Sequence, residues 1–166
     1  MNRTRRHVHR LAIAAVLCCG LPLGARAEGA ILTLHNHSMS GGQNSIAVSK
    51  SDLESLAQRI IKTSNDYVDG VAEFRGPSVQ DVISLIGRSS ARQARMISTN
   101  RYEVEIELAE LDRFGAILAM EMNGEPLTLR DKGPIWLMYP MDSYAELSDR
   151  GFNSRLVWQL EQIELF

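Results

Sequence analysis

An α+β fold, mainly β with short helices on a mixed sheet, is predicted by three patterns in the chain. Glu103-Val104-Glu105-Ile106-Glu107-Leu108 alternates strictly between charged and apolar residues, the two-residue period of a half-buried strand. Asn123-Gly124 separates the runs 117–122 and 126–129, a hairpin signal because both turn residues tolerate positive φ. Helix-start chemistry followed by apolar spacing occurs in two short segments only, opening at Ser51 and at Ser78.

The elements follow in order. Residues 31–34 and 45–48 read as short strands around the polar turn 38–44. Ser51-Asp52-Leu53-Glu54 has the spacing of a capping box, in which Ser51 accepts from a free helical amide and Glu54 reaches back. Residues 59–62 form a strand leading into the polar segment 63–69. Gly76-Pro77-Ser78 opens the second helix, with Ser78 as cap, Val79, Val82, Ile83 and Ile86 on one face, and Gly87 as stop. In the alternating strand Val104, Ile106 and Leu108 turn inward and the three glutamates face water. Residues 135–139 are continuously apolar, as in a strand covered on both faces. Residues 156–160 alternate around Trp158, and Ile163 and Leu165 resume out of phase, which places a bulge near Gln162.

Composition describes one ordinary globular domain: 166 residues, 45% hydrophobic and 23% charged. No internal repeat or low-complexity linker divides it. Five of the 18 basic residues lie within residues 1–27, which hold no acid. The remainder carries 13 basic against 20 acidic residues, a formal charge of −7. Such a balance, with no basic run, argues against a nucleic-acid or anionic-membrane binder. Both cysteines, Cys18 and Cys19, fall in the apolar run of that first segment. A disulfide framework, a cysteine-ligated zinc site and a cysteine nucleophile are therefore excluded from residues 28–166.

Residues 1–10 are basic, residues 11–23 mostly apolar, and Ala25-Arg26-Ala27 places small residues where a signal peptidase reads. This order is that of an export signal cleaved before Glu28, too short to span a bilayer, and it predicts a periplasmic domain of residues 28–166 with no membrane insertion after cleavage. His35-Asn36-His37 puts two histidines on one strand face, but two imidazoles without a third ligand make a weak metal site. No Gly-x-Ser-x-Gly elbow, phosphate-binding loop or His-Glu-x-x-His helix is present.

Four segments in one order carry a resemblance. They are Phe74-Arg75-Gly76-Pro77-Ser78-Val79-Gln80-Asp81-Val82-Ile83; residues 102–108; Met122-Asn123-Gly124-Glu125-Pro126-Leu127 with Lys132-Gly133-Pro134-Ile135-Trp136-Leu137-Met138-Tyr139-Pro140; and residues 155–163. Together they resemble the molybdopterin-binding domain of the sulfite oxidase family over residues 60–165. The resemblance implies a sulfite-oxidase-like fold in a single domain. Family enzymes hold molybdenum through a cysteine thiolate, at a place matching Lys62-Thr63-Ser64-Asn65 here. Thr63 and Ser64 stand there instead, and a hydroxyl is a harder, less acidic ligand than a thiol. Trp158 replaces the lysine of the last family strand, Arg155 matches its arginine, and the basic cluster after Thr63 is missing.

These departures argue against catalysis through the full molybdenum cofactor and leave a pocket for the pterin ring. Small periplasmic proteins resembling this chain include pterin-binding partners of membrane sensors in cyclic-di-GMP signalling. The resemblance therefore implies a pterin ligand and, as partner, the periplasmic domain of an inner-membrane sensor. The alternatives are an oxidoreductase binding molybdopterin without a cysteine ligand, and a ligand-free scaffold, since a fold does not fix a function. A flat heteroaromatic needs an aromatic or guanidinium plane and polar partners. Trp158, Trp136, Tyr139 and Arg155 are the candidate planes, and Thr63, Asn65, Asn100 and Asp142 the candidate polar partners. Core packing competes for both tryptophans, a surface ion pair for Arg155, and plain turn chemistry for Asn100.

Overall fold

The computed structural model describes residues 29–39, 44–87 and 90–166. The expected export signal, residues 1–27 with Cys18 and Cys19, lies outside them, as does part of the turn 38–44. Eleven strands and four short α-helices follow in order: β1 (Ala30–Asn36), β2 (Ser45–Ser49), α1 (Lys50–Ser55), β3 (Gln58–Asn65), β4 (Val68–Pro77), α2 (Val79–Ser84), β5 (Gln93–Ser98), β6 (Glu103–Glu107), α3 (Leu108–Phe114), β7 (Ile117–Ala119), β8 (Glu121–Met122), β9 (Glu125–Pro126), β10 (Trp136–Met138), α4 (Arg150–Asn153) and β11 (Leu160–Leu165). Three 3-10 turns sit between β9 and α4. The architecture is mainly β, as the sequence predicts.

A five-stranded sheet runs β2-β1-β11-β5-β6, with β1 parallel to β11 and the other pairs antiparallel. A four-stranded antiparallel sheet runs β3-β4-β8-β9, and β7 pairs with β10 between them. The long β3–β4 hairpin has one inward row, Ile61 and Thr63 against Phe74 and Ala72. Its outward row includes Ile60, 58% exposed, and Val71, 68% exposed. β10 is buried along its whole length, so Ile135, Trp136, Leu137, Met138 and Tyr139 all belong to the core.

Several expectations hold in detail. Asn123 (φ 54°) and Gly124 (φ 82°) form the tight turn between β8 and β9. Ser78 caps α2, accepting from the Asp81 amide at 3.1 Å, and Val79, Val82 and Ile83 are buried. The β11 register shifts between Leu160 and Gln162, where the phase break predicts a bulge.

Other elements differ from expectation. The first capping box sits two residues earlier: Ser49 accepts from the Asp52 amide at 3.2 Å, and Asp52 accepts from the Ser49 amide at 2.9 Å. Asp52 completes this box where Glu54 was expected, and Glu54 instead faces Lys50 one turn away. The segment 63–69 is not a free polar loop; β3 continues to Asn65 and β4 starts at Val68. Leu108 opens α3 rather than ending β6, and its burial comes from the helical row Leu108, Leu111 and Phe114. Gly115, in the left-handed region at φ 64°, ends that helix. Strand β5 and helices α3 and α4 were not anticipated, and β4 was implied only by the resemblance of the segment starting at Phe74, not by its own apolar period.

Gly76 fixes how closely β4 approaches β7. A methyl group there would stand 1.9 Å from the Leu118 carbonyl oxygen, a backbone atom that has nowhere to go. Gly76→Ala is therefore expected to cost about 3 kcal/mol or more, at the upper end for overpacked cores, read as a lowered urea midpoint with an unchanged slope.

Candidate functional site

The tip of the β3–β4 hairpin is the one place where several polar candidates converge. Thr63 is fully buried because it lies on the inward row of β3. Its hydroxyl accepts from the Asp142 amide at 3.2 Å and donates to the Ser64 carbonyl at 3.3 Å. Asp142 answers from the 3-10 turn Met141–Ser143: its carboxylate accepts from the Ser64 amide at 2.6 Å and the Ser64 hydroxyl at 2.7 Å. Asn65 closes the strand, its Oδ1 accepting from the Tyr67 amide at 2.9 Å while Nδ2 lies 3.8 Å from the Met138 sulfur. The Asp66 amide donates to Asn153 of α4 at 3.1 Å. Residues 141–155 thus form a strap of short turns pinned across the hairpin tip.

Two clefts flank this tip and share Val68. One, about 300 Å³, is lined by Ser64, Asn65, Asp66, Asp142 and Asn153. The other, about 260 Å³, is lined by Tyr67, Asn123, Arg130, Lys132 and Trp136. Aromatic rings wall the second. Tyr67 meets Trp158 edge-on with centroids 4.9 Å apart, and Trp136 meets Phe74 edge-on at 5.5 Å. Lys132 stands over the Trp136 ring at 5.3 Å and donates to the Tyr67 carbonyl at 3.3 Å. Partial burial, with smaller contributions from Tyr102 and Asp66, raises the pKa of the Tyr67 phenol.

Tyr139 and Arg155 meet each other elsewhere. Successive side chains of a strand point to opposite faces. Trp136 and Met138 reach the hairpin, so Tyr139 turns away toward α3. There its hydroxyl donates to Glu110 at 2.9 Å, and Arg155 forms an ion pair with the same carboxylate. The Arg155 guanidinium also lies 4.7 Å from the centre of the Phe152 ring. Burial, reinforced by the Glu110 charge, holds the Tyr139 phenol well above its ordinary pKa, with Arg155 pulling the other way. Arg155 is raised in turn, chiefly by its bond to Glu110.

Asn100 lines neither cleft; its Oδ1 accepts from the Tyr102 amide and shapes the β5–β6 turn. Trp136 is fully buried and donates its indole N–H to the Leu156 carbonyl at 3.1 Å. Trp158 is half-buried, bridged to Trp136 through the backbone. Sequence reasoning passed over Tyr67, Glu110 and Lys132. Tyr67 sits inside the polar segment 63–69 and Lys132 opens the Lys-Gly-Pro motif, so both carried a local signal. Glu110 carried none, because its partners lie 29 and 45 residues away.

The molybdenum end of molybdopterin does not fit these residues. Both hydroxyls at the ligand position are engaged, Thr63 inside the strand and Ser64 on the Asp142 carboxylate, and that carboxylate adds a negative charge where an anionic metal–dithiolene group would sit. Among the described residues no group of three or more His, Cys, Asp or Glu is gathered to hold a metal ion. His35 and His37 stack with centroids 6.2 Å apart, and His37 leans on Phe166 and Glu164. A flat heterocycle with hydrogen-bonding edges suits the second cleft, where the Tyr67 ring stands beside Asn123, Arg130 and Lys132; the first offers amide and carboxylate groups but no ring.

Short helices on a mainly β core, with clefts at a hairpin tip, make an α+β domain with room for a small ligand. The model of the oxidoreductase molybdopterin binding domain matches residues 49–145, more than half of the chain, and the protein belongs to that family. The fold is also similar to that of the sulfane dehydrogenase SoxCD from Paracoccus pantotrophus, at a TM-score of 0.61 and 13% identity. That match covers 81% of this chain and 37% of the other, so the protein spans little more than a third of its structural relative. The fold is therefore sulfite-oxidase-like. No curated protein matches the sequence.

The Glu110 contact makes a stability test. Glu110→Ala leaves a buried phenol and a half-buried guanidinium without their acceptor and is expected to cost about 2–3 kcal/mol. Because the folded protein holds Tyr139 protonated, that contribution is complete below the ordinary tyrosine range. It is lost as the pH rises beyond about 10, where the unfolded phenol ionises first. Tyr139→Phe is expected to flatten the alkaline fall in stability, measured by urea unfolding at a series of pH values.

Proposed function

We propose that this protein is a periplasmic pterin-binding protein that does not catalyse a molybdenum reaction and that reports its ligand state to a membrane sensor. The observation that carries this reading is the closure of Thr63 and Ser64 onto Asp142 at the thiolate position, beside clefts that keep aromatic walls and polar edges. Family membership supports a pterin-type ligand, and the missing thiolate removes the metal from it. In this reading residues 1–27 are the export signal and residues 28–166 the mature domain.

The chain's own groups then have distinct roles. Tyr67 supplies ring surface in the second cleft, with the buried Trp136 ring and Trp158 packed against it. In the adjoining first cleft Asn65, Asn153 and Asp142 offer hydrogen-bond partners of both kinds. Lys132 fixes the backbone at Tyr67 and adds positive charge to the wall. Thr63 positions Asp142 and does not itself face the ligand. The acidic surface, −7 over residues 28–166, favours a partner with a basic docking face, and such steering acts mainly on association rate.

Two measurements separate this reading from the oxidoreductase and scaffold alternatives. Protein purified from a molybdenum-sufficient host is expected to hold no stoichiometric molybdenum and to turn over neither sulfite nor sulfoxide; about one metal per chain makes it an enzyme. Calorimetry with tetrahydropterin is expected to show saturable binding that Tyr67→Ala weakens about fivefold, the loss of roughly 1 kcal/mol of ring contact. Absence of any pterin binding leaves the scaffold reading.

A further inference from the structure

Exposed strand edges invite pairing with other chains, and proteins guard them with charge, proline or bulges. Among the described residues, the two edges of the five-stranded sheet are treated in opposite ways. β6 carries Glu103, Glu105 and Glu107, all exposed. The edge strand β3 of the other sheet carries exposed Arg59 and Lys62. β2 carries neither charge nor proline: it reads Ser45-Ile46-Ala47-Val48-Ser49.

The direction of its backbone groups follows from the ladder. The Asn36 amide donates to the Asn44 carbonyl at 2.8 Å, and β2 continues opposite β1 as His35 with Ser45, Leu34 with Ile46 and Thr33 with Ala47. Hydrogen-bonded and non-bonded positions alternate in an antiparallel pair. Residues 44, 46 and 48 therefore turn their N–H and C=O groups toward β1, and Ser45 and Ala47 turn theirs outward, where no partner stands among the described residues. The Ser49 amide is already given to Asp52.

The strand is also its own complement. Reversed about Ala47, it sets Ser45 opposite Ser49, Ile46 opposite Val48 and Ala47 opposite Ala47. We propose that β2 is a homodimer interface, in which two copies pair antiparallel about a two-fold axis at Ala47 and join their five-stranded sheets into one of ten. Both outward groups of Ala47 bond reciprocally across the axis. Hydroxyl meets hydroxyl, and aliphatic side chain meets aliphatic side chain on the core side of the sheet. A closed two-fold contact of this kind uses up the edge and does not propagate into a filament. The same pairing about the centre of β6 would set Glu103 against Glu107 and Glu105 against itself, a like-charge arrangement that disfavours association.

Ala47 is exposed, so its substitution tests the contact without touching the core. Sedimentation equilibrium of the wild-type protein across the micromolar to millimolar range is expected to give twice the chain mass. Ala47→Lys and Ala47→Glu, each alone, place like charges across the axis and are expected to sediment as single chains with native circular dichroism. An equimolar mixture of the two is expected to recover the double mass, because lysine then faces glutamate. Glu105→Lys on the opposite edge is expected to leave the wild-type mass unchanged. A wild-type protein at single-chain mass throughout, which would leave the edge to a foreign strand, overturns the proposal. So does Ala47→Lys that keeps the double mass, which places the contact elsewhere, or a mixture that fails to recombine.

Discussion

Trp136 and Met138 leave β10 toward the β3–β4 hairpin, and Tyr139 leaves it toward α3. The two-residue period of this buried strand organises the rest of the molecule. On the hairpin side it supplies the floor of the clefts, through the Trp136 contact with Phe74 and the Asn65 contact with Met138. On the other side it supplies the phenol that joins Glu110 and Arg155 and so fastens the end of the strap to α3. A one-residue slip of β10 would exchange these sides, placing an unpaired phenol in the cleft and an indole against a carboxylate. Its pairing with β7, itself held against β4 by the close approach at Gly76, prevents that slip.

What the sequence made legible is what local chemistry specifies. The Asn123-Gly124 turn, the Ser78 cap and the alternation of β6 need no distant partner to be recognised. β4 was hidden because its inward row uses the small residues Ala72 and Gly76 around Phe74, so its apolar period is faint, and Gly76-Pro77 reads as a helix start. α3 was hidden because Leu108 fits both the strand period before it and the helical row after it. The capping box moved because two serines, Ser49 and Ser51, each have an acid three residues on. β2 ends at Ser49, which therefore becomes the residue in extended conformation that caps the helix.

The site was legible only in part for a related reason. Thr63, Asn65 and Asp142 are polar residues next to apolar strands, a signal that a sequence displays. That Thr63 and Ser64 are closed by Asp142, 78 or 79 residues on, is a fact of topology. The same holds for Arg155, whose ion pair the sequence suggests but whose partner Glu110 it does not, and for Tyr139, whose direction depends on where β10 begins. Asn100 looked like a ligand partner for the same reason that it shapes a turn: a short amide side chain bonds its neighbouring backbone.

The distribution of hydrogen bonds also bears on how a ligand here would be communicated. The strap 141–155 meets the hairpin tip through exposed polar contacts at Ser64 and Asp66, and meets α3 through Phe152, Tyr144 and Phe114 packed ring against ring. Contacts of the first kind contribute little net stability each, because water competes for them; contacts of the second kind pack against the buried Phe114 ring and are harder to open. A ligand bidding for Asp142 or Asn153 therefore competes with the weaker set and leaves the stronger in place. At the hairpin end the backbone of Asp142 is held by the buried Thr63 hydroxyl, and only the side-chain contacts of Asp142 and Asn153 belong to the weaker set. Such a ligand would shift the strap only to the extent that it bound one arrangement more tightly than the other, and the Asp142 carboxylate, held by Ser64 beside the cleft, is the group for which it would have to compete.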